Sequence, residues 1–321
     1  WMKIGASRES DPNENRVALV PETVERLVKA GHEIFIEEDA GTAAGFPDSA
    51  YAEAGAKTAS ATEIAGSVDI FVHVQPPTSE EVGSLKKGSI VVSTLSARTN
   101  APAVASLTSA GATVLAMELV PRIARAQRMD VLSSQASIAG YKAALLAANS
   151  LGKYLPMMMT AAGTIPPAKI LVLGAGVAGL QAIATARRLG AVVEAFDVRA
   201  AAGEQVESLG AKFIQPPAAE DAEGAGGYAR AQTEDEQAAQ RDFLKGHIAD
   251  ADAVITTAAI PGRPAPLLMT EDMVDVMKPG SVVIDLAAES GGNVAGTVAG
   301  EIINKNGVMI NGPINVPSSM P

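Results

Sequence analysis

Residues 170–179 read Ile-Leu-Val-Leu-Gly-Ala-Gly-Val-Ala-Gly. Four consecutive apolar residues, Ile170 to Leu173, have the pattern of a strand buried on both faces of a parallel sheet. Gly174-x-Gly176-x-x-Gly179 follows, and residues 180–189 continue as an apolar helix. A second strand, 191–196, ends in Asp197. Strand, glycine turn, helix, strand and acid in that order form the dinucleotide fingerprint in its required context. Gly174 permits a sharp turn, Gly176 lets backbone approach a pyrophosphate, and Gly179 lets helix and strand pack closely. Ala175 and Val177 sit between them, at a helix N-terminus that offers N–H groups and partial positive charge to phosphates. Asp197, followed by Val198 and Arg199, suits the adenosine ribose. Its carboxylate accepts from ribose hydroxyls and repels a 2′-phosphate, which favours NAD(H) over NADP(H). Arg199 is itself able to hold a phosphate, which leaves that alternative open.

A length of 321 residues suits two domains, each with its own core. Thirty-six acidic residues against 25 basic give a net charge of −11, which argues against nucleic acid or an anionic membrane surface as a direct partner. Aromatic residues make up only 3%, too few for base-stacking platforms. The absence of cysteine rules out disulfides, thiol catalysis and zinc-thiolate sites. His32, His73 and His247 show no metal-ligand spacing, so no metal is expected. The most apolar stretch, 143–162, is interrupted by Asn149, Lys153 and Pro156, a poor pattern for a membrane span. Without a signal-peptide pattern at the start, a soluble cytoplasmic chain is expected.

The first half alternates short apolar strands (2–6, 33–38, 69–74, 89–94, 113–117) with helical stretches (21–30, 48–54, 78–85, 101–110). That alternation predicts a second doubly wound parallel sheet, this one without GxGxxG. Residues 137–158 read as one long helix that leaves the first domain and enters the next. The expected fold is α/β, with two doubly wound Rossmann-like domains joined by that helix and a ligand cleft between them. The expected domains are 1–136, with the tail 312–321 returning to it, and a dinucleotide-binding domain over 137–311.

Residues 118–135 follow the last strand of the first half and are too polar and irregular for a core segment. They put Arg122, Gln127, Asp130 and Ser133 at a strand C-terminus, where open α/β sheets place ligands. An amide, a carboxylate and a guanidinium together suit a carboxamide and a phosphate. A surface loop with an internal Arg–Asp pair and a serine helix cap is the competing reading.

Arg122-x-x-Arg-Ala-Gln127-x-Met129-Asp130-x-Leu-Ser133-Ser-Gln resembles the nicotinamide-contacting loop of proton-translocating NAD(P) transhydrogenases, in the alanine dehydrogenase/transhydrogenase superfamily. The similarity is to the soluble NAD(H)-binding component, the N-terminal region of the alpha subunit, and covers essentially the whole chain. It also rests on Arg8-Glu9, Glu14-Asn15-Arg16-Val17-Ala18, the 174–181 turn, Phe196-Asp197-Val198-Arg199 and the tail from Asn311 to Ser318. The resemblance implies that Gln127 and Asp130 orient the nicotinamide carboxamide. Ser133 adds a hydrogen bond, Arg122 links Asp130 to the cofactor, Met129 lines the site, and Asp197 holds the ribose. Gln127, Asp130 and Arg122 are thus the implied catalytic group. The resemblance also implies a homodimer, a separate NADP(H)-binding component, a membrane component, Re/Si-specific transfer coupled to proton translocation, and a place at the cytoplasmic face of the inner membrane. Family members continue past the end of this chain.

In the second half, 200–209 and 234–248 read as helices, and 212–214, 253–256 and 281–285 as strands. Residues 215–232 are rich in Ala, Gly, Glu and Pro, and hold Gly227 and Tyr228. They read either as a lid over bound nucleotide or as a plain surface loop with an incidental aromatic. The family's mobile loop carries a tyrosine in this setting, which favours the lid. The proline-studded turn 257–266 includes Ala259 and is expected beside the adenosine. Asp285 and Glu289 read as loop-positioning carboxylates ahead of an acid/base pair, and His73 as structural.

Amino-acid dehydrogenation needs a proton-moving His or Lys. In alanine dehydrogenases, which the chain also resembles, a lysine and a histidine stand at positions matching Gln75 and Ser96. Hydride transfer between two nicotinamides moves no proton at the reacting carbon, and positioning alone contributes about 7–11 kcal/mol. The expectation is therefore one half of a transhydrogenase. An alanine- or saccharopine-type dehydrogenase and a non-catalytic NAD(H)-sensing module are the alternatives.

Overall fold

The computed structural model describes residues 1–215, 233–259 and 262–321. They divide into two units, Trp1–Leu132 with Pro317–Pro321, and Ser133–Val316.

The first unit runs β1 (Lys3–Ala6), α1 (Pro21–Lys29), β2 (Glu33–Glu37), α2 (Asp48–Glu53), β3 (Lys57–Ala59), α3 (Ala61–Ser67), β4 (Ile70–Val72), α4 (Ser79–Ser84), β5 (Ile90–Ser93), α5 (Ala101–Ser109) and β6 (Thr113–Ala116). Among the described residues its strands form one parallel sheet in the order β3-β2-β1-β4-β5-β6. Period-two alternation sends Ile34 and Ile36 into a cluster with Val24 and Tyr51, and Phe71 and Val91 into another with Ile64 and Leu107. The β3–α3 pair is additional to the expected elements. A three-residue strand is too short to show alternation, but α3 opens on a capping box that the sequence does display. Glu63 N donates to Ser60 Oγ, and Ser60 N donates to Glu63 Oε2 at 3.0 Å. Ser318 ties the tail to this unit: its Oγ donates to Asn13 O at 2.6 Å and accepts from Asn15 N at 2.7 Å.

The expected helix over 137–158 is corrected. α6 spans Val131–Ser150. It starts directly after Asp130, a residue type that favours helix starts. It ends before Gly152 and Pro156, which weaken and then forbid helical continuation. Met158, expected as its last residue, instead opens β7 (Met158–Thr160), paired antiparallel with β8 (Gly163–Ile165).

The second unit continues with β9 (Lys169–Leu173), α7 (Val177–Arg188), β10 (Val192–Phe196), α8 (Ala202–Ser208), β11 (Lys212–Phe213), α9 (Glu234–Asp250), β12 (Ala253–Thr256), α10 (Glu271–Asp275), β13 (Val282–Asp285), β14 (Ile302–Lys305) and β15 (Val308–Asn311). Its sheet order among the described residues is β11-β10-β9-β12-β13-β15-β14, parallel except for β14 against β15. The β14–β15 hairpin is also additional to the expected elements. Its signal is Asn306-Gly307, both at positive φ (53° and 83°), the pair that a two-residue primed turn requires. β9 lies at the centre, with Ile170, Leu171, Val172 and Leu173 all buried. Each such side chain contributes about 1.5–3 kcal/mol by leaving water. Ile170 and Val172 face one core, with Ala143, Ala147 and Ile183. Leu171 and Leu173 face the other, with Leu244 and Ile248.

Candidate functional site

From β9 the chain builds outward through β10 and β11, then returns to lay β12 on the other side of β9. The crevice beyond the carboxyl ends of β9 and β12 is therefore a topological switch point, where such sheets hold ligands. Three segments meet there: the turn after β9, the end of β10 at Asp197, and the loop after β12.

The turn is specified by close backbone approaches. Gly174 has φ 101°, and its N–H donates to Phe196 O at 2.8 Å. A Cβ on Gly179 would lie 1.8 Å from Gly174 O, so only glycine lets α7 sit this close to the turn. Thr257 closes the other side: its N–H donates to Leu173 O at 2.9 Å, and its Oγ1 donates to Gly174 O at 3.0 Å. Ala175 is buried, while Val177 is exposed at the first position of α7. Gly176 precedes the helix without a capping side chain. A Cβ built on it meets none of the described residues within 4 Å. Beside Gly176, at the N-terminus of α7, the described residues leave room for a further group.

Asp197 is 6% exposed. Its carboxylate accepts from Ala175 N–H at 2.7 Å and pairs with the Arg199 guanidinium at 2.7 Å. The acid is thereby fixed against the glycine turn. Arg199 is turned onto Asp197 rather than held apart from it. Val198 between them is half-buried against the core.

Sequence reasoning missed Asn293, which fixes the loop after β12. Asn293 is fully buried; its Oδ1 accepts from Ala258 N at 3.0 Å, and its Nδ2 donates to Ala258 O and Pro266 O, both at 2.8 Å. Ala259, next along, is exposed. Asp285 holds this assembly. Its carboxylate accepts from Thr256 Oγ1, Ala287 N, Asn293 N, Val294 N and Thr297 Oγ1 at 2.8–3.2 Å. Glu289 accepts from Asn315 N at 3.0 Å. Both are loop-positioning carboxylates.

In the first unit, the loop after β6 is wound into two 3-10 turns, Met117–Leu119 and Ala124–Met129, and anchored by buried Ala126. Gln127 and Met129 are exposed. Asp130 N donates to Gln127 O at 3.3 Å, and Arg122 Nε lies 3.8 Å from Asp130 Oδ2, a loose ion pair. Glu118, also missed, anchors the start of this loop. Its carboxylate accepts from Leu95 N at 3.1 Å and Ala97 N at 2.8 Å, bracketing Ser96 in the left-handed region at φ 52°. Ser133 belongs to the second unit and is on the first turn of α6, not on a loop. Gly227 and Tyr228 lie outside the described residues.

His73 is buried beyond the end of β4. Its Nε2 contacts Glu81 Oε1 at 3.1 Å and also Ser7 Oγ, which hydrogen-bonds Glu81. Its Nδ1 faces Glu9 Oε1 at 3.3 Å without hydrogen-bond alignment. Burial alone would depress its pKa, but the two carboxylates outweigh burial and raise it to about 9. Burial would raise Glu81, and His73 with Ser7 instead lowers it to about 2. Glu9 also accepts from Val74 N and Gln75 N at 2.7 and 3.1 Å, and Gln75 Nε2 donates to Glu14 at 2.8 Å. Glu14 in turn pairs with Arg16 at 2.7 Å. The cluster is an internal brace that joins the β1–α1 loop to the end of β4.

Among the described residues no group of His, Asp and Glu side chains is placed to hold a metal, and no helix is long and apolar enough to cross a membrane.

Comparison with known proteins places this geometry. The model of the alanine dehydrogenase/PNT N-terminal domain matches residues 5–139, and that of the C-terminal domain matches 143–321. The chain is 51% identical to the first part of NAD(P) transhydrogenase subunit alpha of Rhodospirillum rubrum, over 99% of this chain and 85% of that one. It is 46% identical to NAD(P) transhydrogenase subunit alpha of Haemophilus influenzae, where the match spans all of this chain but only 62% of the relative's length. A crystal structure of transhydrogenase from Sinorhizobium meliloti superposes with a TM-score of 0.89 at 48% identity, over 99% of this chain and 88% of that one. With both domain models matched in order and relatives near half identity across its length, this chain belongs to the alanine dehydrogenase/PNT family.

Proposed function

We propose that this chain is the NAD(H)-binding component of a proton-translocating transhydrogenase. The observation that carries the reading is the open cradle in front of Gly176, at the switch point of the β9 sheet, with Asp197 fixed beside it. The residues present fit a dinucleotide. Gly176, Val177 and the α7 N-terminus take the pyrophosphate, Asp197 and Val198 take the adenosine ribose, and the Asn293-clamped loop through Ala259 flanks it. Arg122, Gln127, Met129, Asp130 and Ser133 hold the nicotinamide by its carboxamide.

When bound, the nicotinamide supplies the hydride. This chain's residues bind it, orient it and exclude water, and positioning of that kind contributes about 7–11 kcal/mol. No side chain has to shuttle a proton, which agrees with Gln75 and Ser96 standing at the positions matching the lysine and histidine of alanine dehydrogenases. His73, locked between Glu9 and Glu81, is committed to the fold. The acceptor is NADP+ on a separate component. A membrane component couples the Re/Si-specific transfer to proton movement, and the chain works as a homodimer at the cytoplasmic face of the inner membrane.

The test combines the purified chain with the NADP(H)-binding and membrane components of a relative. Hydride transfer from NADH to an NADP+ analogue is expected only in the combination, with no oxidation of alanine by the chain and NAD+ alone. Alanine turnover by the chain alone would replace this reading with an amino-acid dehydrogenase. Tight NADH binding without transfer in the combination would leave only a sensing module.

A further inference from the structure

The Asp197 carboxylate is saturated. Oδ1 accepts from Arg199 N at 2.9 Å and Arg199 Nε at 2.8 Å. Oδ2 accepts from Ala175 N and from Arg199 Nη2, both at 2.7 Å. A carboxylate offers about four lone-pair directions, and these four donors fill them. An incoming ribose therefore meets no vacant acceptor on this acid. The four bonds divide evenly: each oxygen holds one backbone N–H and one arm of the guanidinium fork. If the fork departs, the two backbone donors still hold the carboxylate in place, and each oxygen regains one acceptor. Two acceptors match the 2′- and 3′-hydroxyls of an unmodified ribose. The Arg199 side chain is partly exposed, whereas the Asp197 carboxylate is buried.

Resting on the reading that Asp197 holds the adenosine ribose, we propose that Arg199 is a specificity-determining gate. Its guanidinium stands in for the ribose diol on Asp197 and swings away when NAD(H) enters. A ribose with both hydroxyls replaces both bonds. A 2′-phosphorylated ribose brings one donor fewer and cannot repay the departure of the fork. In this arrangement Arg199 opposes binding of the correct cofactor, and opposes binding of the wrong one more strongly. It does not hold a phosphate.

The test is equilibrium titration of NADH and of NADPH, read by their fluorescence, against the intact chain and the variants Arg199→Met, Arg199→Lys, Asp197→Asn and the double variant Asp197→Asn/Arg199→Met. Arg199→Met is expected to tighten NADPH more than NADH, and NADPH weakened by that variant would show that Arg199 holds the phosphate instead of excluding it. Arg199→Met is expected to tighten NADH about tenfold, the size of one charge-assisted hydrogen-bond competition removed. Arg199→Lys keeps the charge but loses the fork, and tightens binding as well. Asp197→Asn weakens binding, and in the double variant the gain from Arg199→Met disappears, because the two residues act as one unit. If Asp197→Asn weakens NADH while both Arg199 variants leave it unchanged or weaken it, the gate is refuted and the ribose reading stands. If Asp197→Asn has no effect, the ribose reading fails and the gate with it.

Discussion

Gly176 and Gly179, both in the stretch that follows β9, make opposite predictions. Replacing Gly179 with Ala puts a Cβ 1.8 Å from Gly174 O and 3.2 Å from Thr257 Oγ1. Ordinary carbon–oxygen contact begins near 3.3 Å, so α7 and the turn must part by about 1.5 Å. The closest contact is backbone on both sides, which cannot rotate away. Overpacking of this kind costs about 1–3 kcal/mol, and here the upper part of that range applies. Alanine's better helix propensity returns about 1 kcal/mol. The net expectation is a loss of about 2 kcal/mol for Gly179→Ala. Gly176→Ala differs in kind. Its φ of −76° suits any residue, and its Cβ meets none of the described residues within 4 Å. A slightly poorer helix cap and a less flexible unfolded chain nearly cancel, so stability moves by under about 1 kcal/mol. The added methyl points into the cradle that a pyrophosphate would fill, and NADH affinity should fall at least about tenfold. Denaturant unfolding and NADH titration of the two variants read the contrast. Unchanged stability of Gly179→Ala would refute the close-approach argument. Unchanged NADH affinity of Gly176→Ala would show that the cradle is not where the dinucleotide lies.

Other predictions rest on separate observations. The His73 pKa is raised from 6.5 to about 9, so its contribution to stability is complete below pH 6.5 and is lost as pH rises towards 9, by about 3 kcal/mol. Glu81, lowered to about 2, loses its share only as pH falls from 4.5 towards 2. Unfolding midpoints between pH 6 and 9 should therefore decline, and His73→Gln should flatten that slope; an unchanged slope would show the brace carries no charge. Asn293→Ala removes three hydrogen bonds and strands Ala258 and Pro266 backbone groups, costing about 2–4 kcal/mol and weakening NADH binding. Wild-type stability in that variant would show the loop is held by other contacts. Gln127→Asn should slow transfer in the assembled system more than it weakens NADH binding, and equal losses would make Gln127 a binding contact only.

The parts of the site that are local are legible in the sequence. A buried apolar run, a glycine spacing and an acid at the end of the next strand all lie within about thirty residues, and each leaves its mark in residue type. Asn293 and Glu118 leave no such mark. Asn293 acts on Ala258 and Pro266, and Glu118 acts on Leu95 and Ala97. Their partners are brought to them only by the parallel order of strands. The start of α6 escapes the sequence pattern because Asp130 suits a loop ligand and a helix start equally well. Its end escapes because Met157, Met158 and Met159 continue an apolar run past Pro156 without helical periodicity. The β14–β15 hairpin and α3 do have local signals, an Asn-Gly pair and a Ser-x-x-Glu box. These sit beside strands and helices too short for a hydrophobic period to emerge. The saturation of Asp197 by Arg199 needs the structure, since two residues of spacing say nothing about where a guanidinium turns.

We propose that this pocket selects an unphosphorylated dinucleotide. Titration of the chain with NADH and NADPH under the same buffer and salt tests it most directly. Loss of one ribose donor to a charged acceptor is worth about 1.5–3 kcal/mol, so NADH should bind about ten- to a hundredfold tighter than NADPH. Equal affinities, or binding of NADPH alone, would contradict the role given to Asp197 and with it the assignment of this chain to the NAD(H) side.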